Sequence, residues 1–369
     1  MTKLAVPFRY DVMGSILRPE YLKQARDDFR AGTITREELT GLEDKAIRGL
    51  ITQLVEHGYK VITDGEFRRG WYHSDFLGGL NGVNLTTYTM NLFGSETLVG
   101  STTIVDRISW NENHPFIDHF KFAKSVADEL GVATKLDIPG PNMVFLDTIT
   151  TDQENCYGKD IKALAKDFVE VYKGAMKSFY DAGCRYLQLD DPVWVALCDE
   201  GFKARITDAG FDVEEVRQVF YDTAKAILEA KPADLAVTLH ICQGNLRSKK
   251  FYDATYDEIA ETIFSLPFDG FFMEFDDEKY CNFELLSKLQ KNQRVALGVV
   301  STRSSELENK DELVARVKRA ANYCSADQLC VSTQCGFASS AEGNLITEEA
   351  QWQKLDLVRD VAREALGVE

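Results

Sequence analysis

Short apolar or β-branched runs, each closed by polar turn residues and followed by apolar positions at helical spacing, recur from one end of the chain to the other. Eight such runs read as strands, at 11–16, 60–66, 133–139, 186–192, 236–242, 270–275, 294–301 and 328–336. Amphipathic stretches between and after them, among them 161–182, 213–230, 310–323 and 345–366, predict helices. Strict β-then-α alternation implies parallel strands, and eight is the count for a closed (β/α)8 TIM barrel. A doubly wound open sheet usually has about five or six strands and a glycine-rich first turn. No GxGxxG follows the first strand here.

One segment breaks the pattern. Residues 83–110 alternate Thr, Val, Tyr and Ile around Gly94 and Ser95, which reads as a β-hairpin inserted after strand 2 and expected to cover the barrel mouth. No linker or low-complexity stretch divides the chain, so residues 1–369 are expected to form a single TIM-barrel domain, long for one domain but within the range of barrels with insertions.

Composition narrows the function. With 27% charged and 44% hydrophobic residues the chain can bury a core and shows no bias towards disorder. A formal charge of -17 repels a phosphate backbone, and no Lys/Arg-rich run opposes it, so no nucleic acid is expected as partner. The N-terminus lacks a signal-type apolar stretch and no run approaches the ~18 apolar residues of a membrane span, which points to a cytoplasmic protein without membrane contact. In that compartment the eight cysteines are expected as reduced thiols, some of them metal ligands. Homodimer formation is left open by the pattern.

Barrel active sites lie at the C-terminal ends of strands, and four such positions carry metal-ligating side chains. Strand five ends in His240-Ile241-Cys242, where the two-residue period puts both side chains on one face. Strand six ends in Glu274, and strand eight in Cys335 followed by Gly336. A lone histidine or cysteine at a strand end is more often a packed core residue. Two thiolates, an imidazole and a carboxylate together suit zinc, Zn2+, which favours tetrahedral N/S/O coordination and brings no redox chemistry. A substrate thiol displacing the weaker Glu274 would be held as thiolate, ready for alkylation.

In order along the chain, the motifs GS in VMGSILRP, DGE before a basic pair, QLDDP, HIC, ME and QCG resemble those of the cobalamin-independent methionine synthase family, especially its short single-barrel form. The resemblance runs from Gly14 to about Leu366, and the HxC, Glu, Cys order is its most specific part. It implies zinc held by His240, Cys242, Glu274 and Cys335, homocysteine as the thiol and a methylated folate as donor. It also implies that Ser15 meets the homocysteine carboxylate and that Glu66 and Asp190 hold its ammonium.

Departures from the family bear on the donor. The duplicated amino-terminal barrel of the full-length enzymes is absent, and Arg303 stands where they carry a histidine that helps protonate the leaving group. Arginine cannot relay a proton at neutral pH; it could stabilise an anionic leaving group, while His73 is the substitute acid. A tryptophan that stacks on the pterin is missing after strand three, which leaves Trp71, Tyr72 or Trp194 as aromatic candidates. Arg18, Arg68 and Arg69 follow the first two strands and could attract an anionic tail of a folate-like donor. Two competing readings stay open: a zinc-dependent thiol alkyltransferase using a methyl-corrinoid or an epoxide, and a non-catalytic paralogue that binds zinc or an amino acid. The uroporphyrinogen decarboxylases share such a barrel without a zinc site, and the HxC, Glu, Cys set argues against that reading.

Overall fold

The computed structural model describes residues 3–92, 95–150 and 155–368. Among these the strands are β1 (Val61–Ile62), β2 (Asn81–Leu92), β3 (Ser95–Ser109), β4 (Ala133–Thr134), β5 (Leu136–Pro139), β6 (Tyr186–Asp190), β7 (Ala236–Ile241), β8 (Gly270–Glu274), β9 (Arg294–Val300) and β10 (Leu329–Thr333). β5 to β10 form one six-stranded parallel sheet in chain order, and β1 pairs with β4 in a second, shorter parallel ladder. Helices Ile161–Asp181, Val213–Glu229, Lys310–Ala320 and Glu348–Leu366 fall within the stretches predicted for them.

The period-two alternation of the strands sorts their residues into two environments. Leu136 and Ile138, Leu187 and Leu189, Leu239 and Ile241, and Phe271 and Met273 belong to the main hydrophobic core, together with the apolar faces of the helices. The residues between them are Asp137, Gln188, Asp190, Thr238, His240 and Glu274, all buried and all on the opposite face of the sheet. The polar positions inside otherwise apolar strands therefore converge on one side, and the candidate site sits there.

The segment expected as the first strand, 11–16, is not a regular strand. It touches its neighbours at its ends, where Tyr10 bridges Val331 of β10 and the Ile16 amide donates to Gly65 O (3.2 Å) just beyond β1. Side chains, not strand partners, satisfy the carbonyls in between. Lys135, fully buried between β4 and β5, donates to Val12 O and Met13 O as well as to Asp11 Oδ1 (3.1 Å) and Gln188 Oε1 (2.7 Å). Gln188 Nε2 donates to Met13 O (2.8 Å) and Thr63 Oγ1 to Gly14 O (2.8 Å). This chain of bonds suspends Gly14 and Ser15 at the strand ends.

β2 and β3 form an antiparallel ribbon whose register runs from Asn81 opposite Ser109 to Leu92 opposite Ser95, with an irregularity between Asn81 and Val83. Gly94 of the expected turn lies outside the described residues. Gly82 adopts φ 81°, and a Cβ there would sit 2.5 Å from Arg107 O, so the bend at the base of the ribbon requires glycine. The middle of the ribbon is anchored by Ser74 Oγ donating to Gly100 O (3.1 Å) and its base by Ile108 N donating to the Tyr157 hydroxyl (2.8 Å).

Replacing Lys135 with methionine keeps its length but leaves Asp11 and Gln188 without their buried cation. The expected cost is about 3–5 kcal/mol, the usual penalty for orphaning one member of a buried ion pair. Urea unfolding of Lys135→Met against wild type measures it, and a cost under about 1 kcal/mol would sink the role given to this ammonium.

Candidate metal centre and carboxylate recess

His240, Cys242 and Cys335 converge. One ligand atom from each lies within 4.8 Å of the other two, and all three residues are buried. β7 positions the first pair, since its last residues put the His240 and Cys242 side chains on the same side. The Tyr256 hydroxyl fixes that end by donating to Ile241 O (2.9 Å) while accepting from the Glu274 amide (2.9 Å). Cys335 arrives from the turn after β10. Asn245 Nδ2 (2.9 Å) and Thr302 Oγ1 (3.0 Å) hold Gly336 O, and Asn344 Nδ2 donates to Thr302 O (2.9 Å). Gly336 is a packing requirement, because a Cβ there would lie 2.0 Å from Ser15 Oγ.

The protonation pattern of the trio suits a soft cation. His240 Nδ1 lies 3.3 Å from Phe272 O, an acceptor that requires a proton on Nδ1, while Nε2 is buried with no hydrogen-bond partner and only the two thiols beside it. That arrangement, one ring nitrogen tied to a backbone carbonyl and the other bare, is how metal-ligating imidazoles are oriented. The nearby Cys242 thiol and then the His240 ring hold the Cys335 thiol well below its ordinary range, whereas Cys242 is pushed up by the same partnership and by burial. Burial alone would lower His240, but the hydrogen bond and charge of Cys335, with Asp190 and Glu274, raise it to about 9. A metal ion would take the place of these shared protons.

Glu274 stands apart from the trio. Its carboxylate is fully buried, is gripped by Arg303 Nη2 at 3.0 and 2.8 Å, and accepts from the Gln243 amide at 2.9 Å. Arg303 is held further by Asp276 (3.3 Å) and Gly244 O (3.3 Å). Burial raises the Glu274 carboxyl to about 7 in spite of this guanidinium. Arg303, read from the sequence as a group at the leaving-group position, is thus the counter-ion of the carboxylate expected as fourth ligand.

Beside the trio lies a recess lined by Gly14, Ser15, Glu66, Tyr72, Asp190, His240, Cys242 and Cys335 among others. The structure therefore brings together Ser15, Glu66 and Asp190, expected to meet substrate, with three of the expected metal ligands. Glu66 adopts φ 61°, unusual for a residue with a side chain, and its Oε2 has only Arg69 Nη1, at 3.6 Å, for company. Asp190 accepts from Gln188 Nε2 at 2.8 Å. Ser15 Oγ accepts from Ala338 N (3.2 Å), which leaves its hydroxyl hydrogen available. Sequence reasoning missed Asp137 and Gln188 on the same face, although their place at alternate positions of apolar strands was a usable signal.

The remaining expected residues are placed differently. Arg18 is buried and donates to Ala338 O, Ser340 O, Glu66 O and Arg69 O, which commits it to tying loops together. Arg69, also buried, donates to Asp137 O (2.6 Å) and lies 4.6 Å from the centre of the Phe116 ring. Arg68 pairs with Glu43 and Asp44. With Trp71 it lines a groove of about 590 Å³ together with Lys23, Arg26, Arg30 and Arg36. Trp71, which pairs with Ser340, is not among the residues that line the recess. Burial lowers His73 to about 4, so at neutral pH its ring carries no proton to donate as an imidazolium. Trp194 is buried against Phe220 and packs in the core.

A parallel α/β scaffold that presents a thiol and imidazole trio beside buried carboxylates suits an enzyme handling a thiol that carries a cation. The chain belongs to the cobalamin-independent synthase family, whose catalytic domain it matches over residues 11–364, and it is accordingly a methionine synthase-like S-methyltransferase. It is 39% identical over 368 residues to the uncharacterized protein YxjH of Bacillus subtilis (strain 168), covering 97% of this chain and 94% of the relative. The methionine synthase of Saccharolobus solfataricus is 23% identical over 351 residues, covering 93% and 90%. Among solved structures, a Listeria monocytogenes protein assigned as a vitamin-B12 independent methionine synthase superposes with a TM-score of 0.78 at 34% identity, covering 98% of each chain.

Two expectations follow from this geometry. Gly336→Ala should cost about 1–3 kcal/mol by overpacking, and Ser15→Gly in the same chain should recover most of it; a denaturant double-mutant cycle without coupling would refute the contact. The second concerns Glu66, which burial and Asp190 raise to about 7 while Arg69 and Arg18 oppose, with Asp64 and Asp137 adding negative charge nearby. A carboxyl with a folded value above its ordinary 4.5 binds more protons when folded, so stability falls as pH rises from about 4.5 to about 7. Glu66→Gln should therefore be more stable than wild type at pH 8, by on the order of 3 kcal/mol at most, and nearly equal at pH 4.5. Parallel stability profiles for the two proteins would contradict this.

Proposed function

We propose that the chain is a zinc-dependent S-methyltransferase that methylates the thiol of homocysteine to give methionine, in a single (β/α)8 barrel with the β2 and β3 ribbon as its insertion after the second strand. Residues 133–139 pair with both β1 and β6, and the segment around 10–16 contacts both β10 and the turn after β1, which supports ring closure. The observation that carries the function is the convergence of His240, Cys242 and Cys335 with a bare, buried imidazole nitrogen. Glu274 is their fourth partner in this reading.

Zinc held there would keep a substrate thiol ionised at neutral pH. The chain's own residues do the rest. Glu66 and Asp190 face a single ammonium and are mutually compensated by it, while Ser15 offers its hydroxyl hydrogen to the substrate carboxylate. The buried walls exclude water, so that orientation and nearness lower the barrier. Donor choice falls to the methyltetrahydrofolate type named by the resemblance, with Arg68 and Trp71 on the route to the adjoining groove. A second reading, a donor whose methyl needs no protonation, such as a methyl-corrinoid, draws support from His73 being neutral and Arg303 being engaged by Glu274 and Asp276. A cytoplasmic setting suits eight free cysteines, and among the described residues no helix is long and apolar enough to cross a membrane.

Zinc analysis of protein purified without chelator, followed by homocysteine with methyltetrahydrofolate or with methylcobalamin, tests the proposal. About one zinc per chain is expected, lost in Cys335→Ser, together with methionine from one of the donors. Zinc without methionine from either donor would leave a binding protein, and zinc-free wild type would end the reading. Glu274→Gln should release zinc to a chelator about tenfold faster or more; unchanged release would confine the centre to the three converging residues.

A further inference from the structure

Asp137 is a buried carboxylate that neither the fold nor the metal centre uses. It sits in β5 on the face shared with Gln188 and Asp190, and it is 1% exposed. Neither of its oxygens has a hydrogen-bond partner among the described residues. The nearest cation, Lys135 Nζ, is 3.9 Å away and is already bonded to Asp11, Gln188 and two backbone carbonyls. Arg69 donates to the Asp137 backbone oxygen. A buried carboxylate without a hydrogen bond is strongly disfavoured as an anion, so the residue either holds a proton or is met by a cation beyond the shared Lys135.

Gly14 shows where that cation belongs. A Cβ on Gly14 would lie 3.2 Å from Glu66 Oε1 and 3.3 Å from Asp137 Oδ2, so both carboxylates flank the bare face of one glycine that itself lines the recess. In the sheet register Pro139 is level with Asp190 and Asp137 with Gln188, which places Asp137 one step deeper than Asp190. Glu66 and Asp190 line the recess with Gly14, and Asp137, itself outside that lining, stands directly behind the bare face of Gly14 with no side chain between. Burial, reinforced by Asp190 and Glu66, pushes the Asp137 carboxyl well up when no cation is present, against the pull of Lys135.

We propose that Asp137 is a third carboxylate serving the substrate ammonium, set behind Gly14 at the back of the recess, and that it makes the site specific for thiols bearing a free primary amine. The proposal rests on the amino-acid thiol reading above and deepens it. A methyltransferase that needed only the sulfur would have no use for Asp137, and an amine-free thiol would leave it without a partner.

Calorimetric titration of the zinc-loaded protein with L-homocysteine and with 4-mercaptobutanoate, which lacks the amine, tests this in wild type and in Asp137→Asn. The variant should bind homocysteine roughly 10- to 100-fold more weakly, the loss expected for one charge-assisted hydrogen bond. Its affinity for 4-mercaptobutanoate should stay within about threefold or improve. Equal losses for both thiols, or unchanged homocysteine binding, would overturn the assignment. Asp137→Leu carries the same expectation and serves if the asparagine variant does not fold. Wild type that binds neither thiol would overturn the amino-acid thiol reading itself, whereas wild type that binds homocysteine while both variants match it would remove Asp137 alone.

Discussion

The ammonium of Lys135 is the interaction on which the site depends. It lies in the interior of the sheet and takes up Asp11, Gln188 and the carbonyls of Val12 and Met13. A regular strand at 11–16 would have turned these carbonyls to its neighbours; held by side chains instead, the segment bends and delivers Gly14 and Ser15 to the strand ends. Gly14 then leaves space between Glu66 and Asp137, and Ser15 meets Gly336, the residue after Cys335. The amine side and the metal side of the site are thereby fixed to one short segment, so displacement of that segment disturbs both together.

Around this framework the chain concentrates negative charge that its own cations only partly offset. Glu66, Asp137 and Asp190 are buried with Arg69 as the neighbouring cation of Glu66, and Cys335 and Glu274 add to the same field. Burial raises each of these carboxyls, which is the mark of a ligand-free state waiting for positive charge. On the reading proposed above, two cations would satisfy it in different ways. A metal ion needs soft donors and would be met by His240, Cys242 and Cys335, whereas an ammonium needs hard acceptors and would be met by the carboxylates.

Much of this was legible in the strand pattern. Seven of the eight expected strands coincide with observed ones because their apolar alternation is strong, and the helices at 161–182 and 213–230 agree within a residue at their ends. His240 and Cys242 were legible because the two-residue period fixes which side chains share a face. What escaped was long-range. Nothing near Arg18 announces that four carbonyls from distant loops converge on its guanidinium, and nothing near Arg303 announces Glu274, 29 residues earlier in the chain. Asp137 escaped for another reason. KLDIP reads as a strand with a charged residue in it, and only the inward direction shared with Gln188, known once the register is known, turns that irregularity into a site.

The pairing of Arg303 with Glu274 has a consequence for the metal centre. An isolated carboxylate beside two thiolates would repel them and would rise in pKa until it bound a proton in place of a metal. Arg303 offsets that repulsion and keeps Glu274 nearer to ionisation, yet the same grip turns both carboxylate oxygens away from being simple free donors. As the fourth partner of the proposed centre, Glu274 would therefore be restrained, a weaker competitor for a soft ion than His240, Cys242 or Cys335. A position held by such a partner is the one an incoming thiol displaces most easily. On the proposed reading Arg303 would act on the reaction through Glu274, to which it is bonded, without touching the methyl donor.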